Sequence, residues 1–235
     1  MLSIFKKEFK SYFTSPIAYV LIGMFMLLSS IIFYINLATP TAEFNHLNLT
    51  YMALFLILII PILTMKILAD ERKGGTEVLL ITSPTSLTSI VVGKFLAAFS
   101  VFLVMTAITL IYPIILAALG TPSIPEIIGG YVGFILLGAS FIAFGIFASS
   151  LTESQIISAI VSVVGLLIMW LLQSIAPALG GIWSKILSWF SLYSRTEDLF
   201  AGILSLKSIV YYLSFSAVFV FLAIRVIEKR RWSKG

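Results

Sequence analysis

Runs of about twenty apolar residues recur along this 235-residue chain, and they constrain its fold more than any motif does. A helical run of that length crosses the roughly 30 Å hydrocarbon core of a bilayer. Residues 17–37, 51–69, 90–119, 127–150, 156–176 and 208–227 each qualify. The sequence is 60% hydrophobic and only 11% charged, which leaves too little polar surface for a soluble domain. The expected fold is therefore all-α: a polytopic membrane protein with six transmembrane helices. The chain has no Cys, which excludes disulfides, thiolate metal sites and thiol catalysis.

The ends and interruptions of the runs carry the remaining signals. Leu2, Phe5, Phe9 and Phe13 recur at helical spacing, with Lys6, Lys7 and Lys10 on the other side. That pattern predicts a basic amphipathic helix over residues 1–14, lying in the headgroup region. Pro61 is expected to bend the second span, and Tyr112-Pro113 to kink or end the third. Between the fifth and sixth spans, residues 177–207 are too apolar for a free loop and too interrupted for a span. Trp183, Ile186, Leu187 and Phe190 share one helical face, and Leu199, Phe200, Ile203 and Leu204 make a second short stripe. Short outer helices fit, with Trp183 and Trp189 at headgroup level.

Six spans put both termini and the segment around residues 70–89 on one side. That side holds Lys6, Lys7, Lys10, Lys66, Arg72, Lys73, Lys94, Arg225, Lys229, Arg230, Arg231 and Lys234. The other has only Lys185, Arg195 and Lys207. The basic side is expected to be cytoplasmic. The net charge of +5 therefore reports topology rather than nucleic-acid binding.

The segment 70–89 is the most charged stretch outside the two ends. Asp70, Glu71, Arg72, Lys73 and Glu77 cannot sit in hydrocarbon, where each costs about 2.5–3.5 kcal/mol. Yet Val78, Leu79, Leu80 and Ile81 follow at once. The plain reading is a solvated connecting loop; the sharper one is a short amphipathic helix that docks on a soluble partner. Gly74-Gly75 would end the preceding helix, Ser83-Pro84 would stop the short one, and Ser86 would cap the next span.

No catalytic constellation appears. His46 with Glu43 makes at most a weak surface metal site. Gly93-Lys94 is not a phosphate-binding loop, because Thr88 and Phe95 stand where Gly and Ser or Thr are needed. Asn48-Leu49-Thr50 fits a glycosylation sequon of the kind that arises by chance. Ser100, Thr106, Thr109, Ser158 and Ser162 read as helix hydroxyls bonded back to the preceding turn. The small-residue strips Gly129-x-x-x-Gly133 and Ser154, Ser158, Ser162 read as packing within the chain. No charge lies near the centre of a span, which argues against a partner-free secondary carrier.

Four stretches carry a resemblance. They are Lys7-Glu8-Phe9 through Ser15-Pro16, and Glu71 through Leu80 with Pro84 and Gly93-Lys94-Phe95-Leu96. The others are Tyr193 through Asp198 with Phe200, Ala201-Gly202 and Val210 through Leu213, and the terminal Arg230-Arg231-Trp232. Together they resemble ABC transporter permeases of the type-2 exporter family, closest to its gliding-motility-type branch; the middle spans match only in hydropathy. The resemblance implies one type-2 transmembrane domain over 1–235, with an interfacial helix at 1–14, a cytoplasmic coupling loop at 70–89 and an extracytoplasmic helical segment at 177–207. It implies a permease subunit of an ATP-driven exporter that is not itself an enzyme and holds no cofactor. ATP and Mg would bind two copies of a cytoplasmic ATPase subunit.

The resemblance assigns ATPase coupling to Glu71, Arg72, Gly75, Thr76, Glu77, Val78, Leu79, Leu80, Ile81 and Pro84. It pairs the chain with a second permease copy or a homologous permease through the first and fifth spans, and leaves room for an extracytoplasmic accessory protein. It places the chain in the bacterial cytoplasmic membrane with both termini cytoplasmic. The alternative is a membrane subunit of such a complex with a mechanical or assembly role.

Overall fold

The computed structural model describes residues 1–38, 44–75, 85–119 and 123–233. The helices are α1 (Leu2–Thr14), α2 (Pro16–Ala38), α3 (Phe44–Thr64), α4 (Lys66–Lys73), α5 (Leu87–Thr109) and α6 (Ile111–Leu119). They continue as α7 (Ile124–Leu151), α8 (Gln155–Leu179), α9 (Gly181–Phe190), α10 (Thr196–Phe200) and α11 (Leu206–Ser233). A 3₁₀ turn, Tyr193–Arg195, precedes α10, and the described residues contain no strand. Six stretches are long and apolar enough to cross a membrane, with α3–α4 and α5–α6 each forming one of them. The all-α polytopic fold expected from the apolar runs is therefore observed.

Helix α7 is the axis. Of its spanning stretch 78% is buried within the chain, against 17% for those of α8 and α11. It packs against α3, α5, α8, α10 and α11. Phe134 on α7 stacks on Phe25 of α2 and lies against Phe102 of α5, and Phe144 meets Phe219 of α11 edge-on. The outer helix α10 seats on its first turns: a Cβ on Gly129 would stand 2.7 Å from the Leu199 carbonyl oxygen, and one on Gly133 would stand 2.8 Å from Leu199 Cβ. The Gly129/Gly133 strip is thus intramolecular packing, as its spacing suggested.

The hydroxyls behave as helix back-bonders. Ser100 donates to the Leu96 carbonyl, Thr106 to Phe102, Thr109 to Thr106 and Ser162 to Ser158. Ser158 differs, since its buried hydroxyl finds no partner among the described residues. Asn48 of the sequon is buried inside α3, its amide against the Met52 sulfur, so no glycan reaches it in this fold.

Three local expectations shift. The third span is interrupted at Leu110, three residues before Pro113. Proline lacks the N–H that would bond the carbonyl four residues back and its ring crowds that turn, so the break appears upstream. The freed Thr109 carbonyl accepts the Tyr131 hydroxyl at 2.8 Å. The second span runs through Pro61 as one helix, and an interruption the sequence did not signal comes at Met65. The second outer stripe is divided: Leu199 and Phe200 are buried, but α10 ends at Phe200 and leaves Ile203 and Leu204 exposed.

Candidate functional site

The break at Met65 makes a joint between α3 and α4, and every helix break leaves backbone groups without intrahelical partners. Two side chains from elsewhere supply them. The Ser149 hydroxyl on α7 accepts from the backbone N–H groups of Leu68 and Ala69, both at 3.1 Å, and donates to the Met65 carbonyl at 3.1 Å. It does from 84 residues away what an N-cap serine does locally. On the other side of the joint the Tyr12 hydroxyl of α1 donates to the Leu63 carbonyl at 3.1 Å. Burial, reinforced by Glu8, pushes the Tyr12 phenol well up, which keeps it a donor.

Beyond the joint α4 carries the sequence Lys66-Ile-Leu-Ala-Asp-Glu-Arg-Lys73. Its apolar residues Ile67, Leu68 and Ala69 are buried, and Asp70, Glu71 and Arg72 each reach a different partner element. The Lys94 ammonium sits between Glu71 Oε1 at 2.6 Å and Glu8 Oε1 at 3.0 Å, joining α4 to α5 and α1. Arg72 meets Glu153 in the α7–α8 turn at 2.8 Å and also donates to the Leu151 carbonyl. The Gln155 amide on α8 donates to Asp70. Arg230 on α11 donates to the Ser150 carbonyl, so two arginines cover the last carbonyls of α7, where cations also favour the helix dipole.

These ties are unequal. The Lys94 side chain is 2% exposed and its carboxylate partners about a fifth, whereas Glu153 is 60% exposed. A solvent-touched pair such as Arg72–Glu153 contributes about 0–1 kcal/mol. Removing one partner of a buried cluster costs about 3–5 kcal/mol, because it strands the other charge. The Glu8–Lys94–Glu71 clasp is thus the strong electrostatic connection at this end. A cleft of about 300 Å³ opens beside it, lined by Glu8, Tyr12, Lys66, Asp70, Glu71 and Lys94 over an apolar floor of Ile17, Ile62, Leu63 and Ile67.

Helix α4 ends where the sequence said it would. Gly74 is its C-cap, its N–H returning to the Asp70 carbonyl at 2.8 Å, and Gly75 turns at φ +69°. The following span starts at Ser86, whose hydroxyl accepts from Ser89 N–H at 3.3 Å. Of the expected coupling residues, Glu71 and Arg72 are brought into this network and Gly75 follows it. Thr76, Glu77, Val78, Leu79, Leu80, Ile81 and Pro84 lie outside the described residues, as do the side chains of His46 and Trp183.

The contacts also place the N-terminal helix, α4, the α7–α8 turn and the end of α11 together at one end of the bundle. At the opposite end Thr50 meets Tyr193, Gln173 donates to Glu197, and Arg195 lies 4.5 Å over the Tyr211 ring. That is the arrangement six spans require.

Sequence reasoning missed the clasp and the joint. By sequence Lys94 counts among the basic residues of one side, yet it lies buried two turns inside α5. A lone cation in an otherwise apolar helix start is the available signal. Ser149 has none, being one of several hydroxyls near a helix end.

Residues 2–228 match the family model described as ABC-2 family transporter protein. No curated protein matches the chain.

Proposed function

Since this chain belongs to the ABC-2 transporter family, whose members are membrane components of ABC transporters, we propose that it is the permease subunit of an ATP-driven exporter. Two cytoplasmic ATPase subunits bind ATP and Mg, and the permease works as a dimer, with a second copy or a homologous permease, in a bacterial cytoplasmic membrane. Both termini and the 70–89 segment face the cytoplasm, α1 lies among the headgroups, and closure of the ATPase pair moves the segment that begins at Gly75. The resemblance to the gliding-motility-type branch belongs to the same reading.

One observation carries it: α4 brings the chain out of the bundle as a helix braced to α1, α5, α7 and α8, and delivers it directly to the segment after Gly75. A solvated connecting loop needs no such bracing, whereas an element that passes force does. Bistable elements respond to a partner only through contacts that differ between their states. The apolar residues Val78, Leu79, Leu80 and Ile81 beyond it supply the surface for such contacts.

Leu80→Asp tests the reading. Loss of a central apolar anchor costs about 2–4 kcal/mol of binding, so the permease should insert at normal yield while its ATPase no longer copurifies. Full retention of the ATPase, with hydrolysis still stimulated, would remove this segment from the coupling role.

A further inference from the structure

Helix α4 is held at two places. Ser149 secures its first turn, and Lys94 secures its last turn through Glu71. Lys94 differs from the Arg72–Glu153 tie at the tip, because at 2% exposure its ammonium cannot trade a carboxylate for water. The Arg72–Glu153 contact can, with its carboxylate 60% exposed. The same ammonium holds Glu8 at 3.0 Å, so whatever displaces Glu71 also pulls on α1. Tyr12 adds a second point of attachment, from α1 to the α3–α4 joint. The clasp thus ties α1 to the tip of α4, while Tyr12 gives α1 a pivot on the last turn of α3. Only Ser15 separates α1 from Pro16, the first residue of α2. The spanning part of α2 is 28% buried within the chain, against 67% for α3–α4, so α2 has less packing to oppose a pull.

We propose that Lys94 is a positioning residue for coupling: it binds α1 to α4, so that displacement of the segment after Gly75 reaches the first span through α1. The inference rests on the reading of that segment as ATPase-facing. It assigns Glu8 a role as the α1 anchor that no local sequence signal suggested, and it makes the amphipathic helix a moving part rather than a passive float. Either carboxylate alone would satisfy the Lys94 charge; both are needed to join two helices.

The test uses the full chain with its ATPase subunits in nanodiscs. The absence of native Cys allows spin labels at Lys10, Lys73 and Leu151. In the parent, the Lys10–Lys73 distance should stay constant between nucleotide-free and ATP-bound states while the Lys73–Leu151 distance shifts. Glu8→Ala keeps the Lys94–Glu71 pair, so the ATPase should still copurify. The Lys10–Lys73 distribution should then broaden, and permease-stimulated hydrolysis should fall about tenfold, within the usual range of coupling between sites. Lys94→Met should reproduce both effects in the fraction that inserts, and Glu8→Ala carries the test if that fraction is small. Wild-type distances and stimulation in Glu8→Ala would overturn the inference, as would a Lys10–Lys73 distance that changes with nucleotide in the parent. A parent chain that captures no ATPase would instead overturn the underlying reading, and this inference with it.

Discussion

Replacing Lys94 by Met keeps an unbranched side chain in the clasp and removes its only buried cation. Glu8 Oε1 and Glu71 Oε1, now 3.0 and 2.6 Å from the ammonium, would then face each other across an apolar gap. Breaking a buried ion pair by removing one partner costs about 3–5 kcal/mol, and here two carboxylates are stranded rather than one. Glu8→Gln removes a charge whose side chain is 21% exposed, and it leaves Lys94–Glu71 as a balanced pair. Its cost should be nearer the roughly 0–1 kcal/mol of solvent-touched pairs. The triple variant Glu8→Gln/Lys94→Met/Glu71→Gln buries no charge, and such replacements are often neutral or stabilising by about 1–4 kcal/mol. Heat resistance in detergent, read as the fraction still monodisperse by size-exclusion chromatography, should therefore rank Glu8→Gln and the triple variant well above Lys94→Met. Equal heat resistance of Lys94→Met and Glu8→Gln would refute the argument, as would a triple variant no better than Lys94→Met.

Three further outcomes follow from the packing. A Cβ on Gly93 would lie 3.3 Å from Ile4 Cβ, close to the roughly 3.5–4.5 Å of disulfides; Ile4→Cys/Gly93→Cys should cross-link under mild oxidation, and no cross-link would mean that α1 does not rest on α5. Gly133→Val should loosen α10 from α7 at a cost of about 1–3 kcal/mol of overpacking, measurable as proteolytic nicking between Tyr193 and Leu206; unchanged resistance would show that the contact yields freely. For topology, a Cys at Gly74 should resist an impermeant thiol reagent in intact cells while one at the exposed Glu197 reacts, and the reverse pattern would invert the orientation.

Much of this protein is determined by features that act within a turn or two of the chain. Apolar run length sets the number of spans, because hydrocarbon thickness is fixed and a helix rises about 1.5 Å per residue. The Ser86 cap, the Gly74-Gly75 terminus and the back-bonded hydroxyls all involve partners three or four residues away, so their spacing is visible in sequence. Even parity of the spans then brings the N-terminal helix, the central segment and the last helix to one end.

The tertiary structure decided what those neighbours do together. Lys94 meets Glu8 across 86 residues and Glu71 across 23, separations with no periodicity to reveal them. Prolines marked strain but not its place: the third span breaks at Leu110 rather than Pro113, with Tyr131 taking the freed carbonyl of Thr109. The second span breaks at Met65 because Ser149 and Tyr12 satisfy the backbone there. Ile203 and Leu204 share hydropathy with Leu199 and Phe200 but not their burial, which depends on the room left by Gly129 and Gly133 on another helix. A helix end or a buried charge is stable only where a partner stands ready, and for this chain those partners are supplied by helices far apart in sequence.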